Sequence, residues 1–223
     1  MSLSADGKRA AYGDSYREKP GDQYLVYKIW DVDAGREIGR VSVAPSTTVV
    51  CHLAPDRRTL LTGGTHGGPG GPGGPTPPDS PALFTQIWDV ATQKEVARAM
   101  WPSSYRAAFS PDSKLVAVAS GAAPGFVLAD ARTGAVVTTL KADPASPGAP
   151  ASYATESVAF SPDGRTVAAW GLGVTRWDAA TGELLATAAR PEALPRSAVR
   201  VGFAYAGPDR VVAVERWNRL ACA

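Results

Sequence analysis

Short runs of β-branched, aromatic and aliphatic residues alternate with polar turns along nearly the whole chain. Leu25-Val26-Tyr27-Lys28-Ile29-Trp30, Leu115-Val116-Ala117-Val118-Ala119 and Ser157-Val158-Ala159-Phe160 are typical. Runs of this length and composition, bounded by Gly, Pro and Asp, predict β-strands. Residues 115 to 119 are apolar without alternation, which predicts a strand covered on both faces. Glu95-Val96-Ala97-Arg98-Ala99 and Glu183-Leu184-Leu185-Ala186-Thr187 mix polar with apolar residues and are expected at outer edges.

Two turn patterns repeat about once per 50 residues, a period that signals an array of equivalent units. The first comprises Ser4-Ala5-Asp6-Gly7, Ala54-Pro55-Asp56-Arg57, Ser110-Pro111-Asp112-Ser113, Ser161-Pro162-Asp163-Gly164 and a looser Gly207-Pro208-Asp209-Arg210. The second comprises Trp30-Asp31 with Gly35, Trp88-Asp89 with Gln93, Ala129-Asp130 with Gly134, and Trp177-Asp178 with Gly182. Each aspartate carboxylate is placed to accept nearby backbone N–H groups, and a glycine at the end of the turn supplies positive φ. Both patterns therefore predict hairpins.

Four short strands per unit, a Ser-Pro-Asp-Gly type of turn, and Trp-Asp closing the third strand make the chain resemble the WD40 repeat family. The resemblance spans nearly the whole sequence, and the stretch from Asp178 to Leu185 is similar to repeats of large bacterial WD40 proteins, often fused to kinases or other signalling domains. It implies an all-β propeller of four-stranded antiparallel blades at about 1–43, 47–99, 105–140 and 156–188, with a partial fifth at 198–219. In the fifth, Val199 to Phe203 and Val211 to Val214 are expected as strands, with Arg216-Trp217-Asn218 as a shortened third. Three departures stand out: Ala129 replaces the tryptophan of the third unit, Gln93 replaces the glycine of the second, and no unit carries the Gly-His pair of the family. Stability is then expected to rest on apolar packing between blades. The first blade holds almost none of its innermost strand and the last is short, so the sequence reads as part of a longer propeller. Association with another copy and a closed five-bladed ring are the alternatives.

In such blades the a-b and c-d turns lie on one face and the b-c and d-a connections on the other. The insertions, Asp14 to Gln23, Gly64 to Ala82, Lys141 to Thr155 and Ala189 to Ser197, all fall on the second. That face is expected to bind protein partners if the loops are more than tolerated insertions. Trp101, Tyr105 and Tyr153, which stand off the repeat pattern, are the candidate aromatic anchors, with Arg17 and Lys19 as charged candidates. The Gly-Pro-rich stretch within 64–82 cannot bury apolar surface and is expected to be disordered or polyproline-like.

Charge adds little: Lys and Arg total 23 against 21 Asp and Glu, a formal net charge of +2. No strong attraction to nucleic acid or membrane is expected. Two cysteines, Cys51 and Cys222, make neither a disulfide framework nor a metal knuckle, so a reducing, cytoplasmic setting is expected. Chemistry is thin as well. Cys51 and His52 are adjacent in a predicted strand and point to opposite faces, so they do not readily share a ligand. Asp31, Asp89, Asp130 and Asp178 recur once per unit, and Trp30, Trp88 and Trp177 in three of the four, and a group that recurs with the unit serves the repeat. The expectation is a non-catalytic scaffold without cofactor or metal. A regulatory appendage of a larger signalling protein such as a kinase is the alternative, and an enzymatic or small-molecule-binding propeller ranks third.

Overall fold

The structure, a computed structural model, describes residues 2–4, 7–16, 24–43, 50–65, 83–99, 103–119, 126–141, 157–170, 173–189, 199–207 and 210–216. These residues form strands and turns, with no helix among them.

The first sheet contains β1 (Ser2–Leu3), β2 (Arg9–Tyr16), β3 (Tyr24–Asp31) and β4 (Arg36–Val43) in that order. The second contains β5 (Val50–Leu53), β6 (Thr59–Thr65), β7 (Leu83–Asp89) and β8 (Lys94–Ala99). The third is built from β9 (Ser103–Phe109), β10 (Leu115–Ala119), β11 (Phe126–Asp130) and β12 (Val136–Thr139), and the fourth from β13 (Ser157–Phe160), β14 (Thr166–Trp170), β15 (Gly173–Asp178) and β16 (Leu184–Ala189). A fifth sheet pairs β17 (Val199–Tyr205) with β18 (Val211–Arg216). All pairings are antiparallel between chain neighbours.

Consecutive sheets pack on one another through their first strands: β1 and β2 on β5, β5 on β9, β9 on β13, and β13 on β17. This succession of four-stranded blades, followed by a two-stranded fifth, is a β-propeller whose sheets do not close into a ring. The core accordingly lies between sheets. Ala11, Tyr27, Ile29 and Val41 of the first sheet meet Cys51, Leu53, Leu60 and Trp88 of the second. Leu61, Ile87 and Ala99 meet Ala107, Val116, Val118, Val127 and Ala129 across the next junction. Ala117, Phe126 and Leu128 then meet Val158, Phe160, Val167 and Trp177. Alternate residues of one strand, such as Val116 and Ala117, feed different cores, which is why the apolar run at 115–119 does not alternate. Burying each aliphatic side chain of this kind contributes about 1.5 to 3 kcal/mol. The outer strand β12 shows the opposite pattern, with Val136 and Val137 more than half exposed.

Four boundaries differ from the sequence reading, one of them at Ala189, which ends β16 opposite Gly173 and does not open the connection that follows. Asp14 to Tyr16 extend β2, paired with Val26, Leu25 and Tyr24, so the first b-c connection starts later than Asp14. Gly64 and Thr65 likewise extend β6 opposite Phe84 and Leu83. Arg216 belongs to the second strand of the fifth sheet, where it pairs with Val199, and does not start a third. Pairing to an already formed neighbour extends a strand past the point where local composition turns loop-like. Trp217 and Asn218 lie outside the described residues.

Candidate functional site

The end of the molecule that carries the a-b and c-d turns is built from two repeated devices. In the a-b turns the amide of Ser4, Ala54, Ser110 or Ser161 donates to the carbonyl five residues on, closing the hairpin at 2.8 to 2.9 Å. The hydroxyls of Ser110 and Ser161 accept the amides of Leu115 and Thr166 and donate to Asp112 and Asp163. The second sheet has Ala54 at the serine position, and there Asp56 takes over. Its Oδ1 accepts the amides of Arg58 and Thr59, and its Oδ2 accepts the Thr59 hydroxyl.

In the c-d turns an aspartate Oδ1 accepts the amide three residues on: Ala34 for Asp31, Thr92 for Asp89, Thr133 for Asp130 and Thr181 for Asp178. In the last three the threonine hydroxyl donates to the same oxygen. The residue four past the aspartate has positive φ in every case, being Gly35, Gly134, Gly182 or, in the second sheet, Gln93 at 59°. A left-handed glutamine is tolerated at some cost, so the turn rather than the residue type fixes this conformation.

These bonds set the electrostatics. The Thr92, Thr133 and Thr181 amides hold Asp89, Asp130 and Asp178 below the usual carboxylate range, and the Ala34 amide does so for Asp31. The Ser110 and Ser161 hydroxyls lower Asp112 and Asp163 in the same way. These six aspartates are therefore ionised and engaged within their own turns, Asp31 pairing in addition with Arg9 of β2.

The junctions between sheets differ at this end. Trp177 of the fourth sheet packs back on the third, its ring 6.3 Å from that of Phe126 and its Nε1 donating to the Lys141 carbonyl at 2.7 Å. The Lys141 amide donates to the Gly182 carbonyl, and the Lys141 ammonium pairs with Glu183. Trp88 faces the first sheet, with its Nε1 on Thr62. At the same position in the third sheet stands Ala129, fully buried against the second. Here, between the second and third sheets, a cleft of about 480 Å³ opens. Its walls are Asp56, Arg58 and Thr59, Trp88 and Asp89, and Val96 from the second sheet, with Asp112 to Lys114, Asp130 and Arg132 from the third. The Ser113 hydroxyl spans the junction and accepts the Asp56 amide at 2.8 Å.

Trp101, Tyr153, Arg17 and Lys19 lie outside the described residues, as do 66–82 and most of the other insertions. Tyr105 falls inside β9, where the expectation had it beside a connection. Asp31, Asp89, Asp130 and Asp178 are the last residues of the third strands, and Trp30, Trp88 and Trp177 stand one residue before the end of theirs. Cys51 is buried in the first core, its Sγ 3.5 Å from the Ala11 carbonyl, and burial pushes its thiol up. No group of three or more His, Cys, Asp or Glu suited to a metal occurs among the described residues. Sequence reasoning missed the cleft residues Arg58, Val96, Lys114 and Arg132. No local pattern marked them, because they come from two different sheets.

The class these features define is the β-propeller, by topology and by the repeated turn devices. No family model matches the chain, and no curated protein matches it.

Proposed function

We propose that this chain is a WD40-type propeller serving as a non-catalytic interaction platform, with partners bound by the end that carries its b-c and d-a connections. The observation that carries the reading is the division of labour between the two ends. At the turn end, hairpins are short and their aspartates are committed to their own backbone amides. The long connections, 66–82, 142–156 and 190–198, all leave from the opposite end, because they follow second or fourth strands of antiparallel sheets. Loops held by a rigid scaffold are where binding residues concentrate. The recurring Trp-Asp pairs and Ser-Pro-Asp turns support the WD40 assignment, and the open edge of the sheets supports association with further blades or another copy.

The test is cross-linking of the chain to proteins that co-purify with it, followed by mass-spectrometric mapping. Cross-links from Lys19 and the long connections, weakened at least tenfold when 66–82 is replaced by a short Gly-Ser linker or when Trp101 and Tyr153 become alanine, are expected. Cross-links confined to the a-b and c-d turns, unaffected by those changes, would overturn the reading. Light scattering of the same preparation reports association of copies.

A further inference from the structure

We propose that the outer edge of β18 is a strand-addition site, one that takes an extended segment of a partner protein, apolar at alternate positions and ending in Trp-Asp. The site lies on the fifth sheet and stands or falls independently of the preceding proposal.

The repeat itself describes the occupant. In each of the four-stranded sheets the second strand pairs with a third in one fixed register: Arg9 opposite Asp31, Thr59 opposite Asp89, Leu115 opposite Asp130 and Thr166 opposite Asp178. Each of these second-strand residues also supplies the carbonyl that closes its a-b hairpin. In the fifth sheet that residue is Arg210, whose carbonyl accepts the Ala206 amide at 2.8 Å. Among the described residues β18 pairs only with β17, so its other edge offers main-chain donors and acceptors to a further strand. A strand added in the common register sets its aspartate opposite Arg210 and its tryptophan opposite Val211.

Charge and burial fit that strand. Arg210 is exposed and forms no ion pair among the described residues, whereas Arg9, at the same position of the first sheet, pairs with Asp31 across the strands. Opposite charges facing each other on a sheet attract. The fourth sheet, for its part, lacks cover. The third-strand residues Tyr27, Ile29, Ile87, Phe126 and Leu128, which face the following sheet, are at most 1% exposed, but the equivalent Val174 and Arg176 are half-buried. Trp177 packs on Phe126 at 6.3 Å, and Val174 holds the place of Phe126 for a tryptophan joined to the fifth sheet. Val211 is half-buried as well, where Leu60, Val116 and Val167 are fully buried. An indole laid against Val174 and Val211 removes both from water.

The probe is a fluorescein-labelled, C-terminally amidated octapeptide with the sequence of residues 24–31, which ends in Trp-Asp. Fluorescence anisotropy with the full chain measures binding, and hydrogen exchange of the β18 amides that point away from β17 reports where it occurs. The probe is expected to bind and to slow that exchange. Affinity is expected to fall about tenfold for Trp30→Ser in the peptide and about fivefold for Arg210→Glu in the protein. An Asp31→Lys peptide is expected to bind the Arg210→Glu protein more tightly than the parent. Arg210 is exposed, so the variant keeps the fold, which a thermal melt verifies. Four outcomes would each overturn the proposal: no binding of the probe, outward amides of β18 already protected before peptide is added, equal binding of the Trp30→Ser peptide, or no rescue by the charge swap.

Discussion

Two neighbouring junctions in this propeller use the same parts to opposite effect. Between the third and fourth sheets, the indole of Trp177 reaches back to the Lys141 carbonyl, and the c-d turn docks so closely that a Cβ at Gly182 would lie 2.5 Å from the Thr139 carbonyl oxygen. Between the second and third sheets, Ala129 ends short, and the neighbouring surface opens into a cleft. The strands, turns and aspartate bonds around the two are alike. The sealed junction thus carries a buried ring, its bond to a backbone carbonyl and a closely docked turn, while the turns that hold the hairpins are alike in both.

The strongest way to break the contrast is Trp177→Ala, which makes the sealed junction resemble the open one. It removes a buried ring, its contact with Phe126 and a hydrogen bond, and leaves a cavity. Losses of this kind cost about 3 to 5 kcal/mol. Urea unfolding should show that loss with an unchanged dependence on denaturant; a loss under about 1 kcal/mol would mean the indole is not what holds the two sheets.

Gly182→Ala attacks the same junction from the backbone side. The residue sits at φ 71°, and an added methyl group would also press on Thr138 Cγ2 at 2.7 Å. Left-handed strain together with displacement of a backbone neighbour predicts a cost on the order of 2 to 3 kcal/mol. Gly35→Ala is the control, because it shares the conformation, at φ 60°, but has nothing within 4 Å. It should cost only about 1 kcal/mol. Equal costs for the two would show that the close approach contributes nothing.

How much of this the sequence disclosed depends on the range of the interaction. The hairpins were legible because Asp and the residue four positions later act within a single turn, and the apolar run at 115–119 was legible because both faces of its strand are covered. Gly182 looked like any other turn glycine. Its need for space comes from Thr138 and Thr139 in the preceding sheet, which no local pattern reports. The cleft was not legible, since Arg58, Val96, Lys114 and Arg132 line it only once two sheets have docked. Asp14, Gly64, Thr65, Ala189 and Arg216 were misassigned for a related reason: pairing extended their strands beyond what composition implied.

Acid should weaken both junctions together, because the turns they share are held by carboxylates. Asp31, Asp89, Asp112, Asp130, Asp163 and Asp178 are all lowered by the hydrogen bonds they accept. A group whose folded-state value is depressed stabilises the protein above its unfolded value, about 4 for aspartate, and that contribution is lost as pH falls through the folded value. The melting temperature should stay level between pH 6 and 8 and drop progressively below about pH 4. Asp130→Asn should melt lower at neutral pH and show a shallower drop. A melting temperature unchanged down to pH 2.5 would remove the carboxylates from the account.

The smallest effect separates the second sheet's turn from its equivalents. Gln93 holds φ 59° at the position that is Gly35, Gly134 and Gly182 elsewhere. A side chain in the left-handed region costs about 1 to 2 kcal/mol. Glycine relieves that strain but gives the unfolded chain more freedom, which offsets about 0.5 to 1 kcal/mol. Gln93→Gly should therefore stabilise the protein by about 0.5 kcal/mol, a rise in melting temperature of roughly 1 to 2 °C. A destabilised variant would mean that the glutamine side chain, rather than the backbone conformation, is what this turn requires.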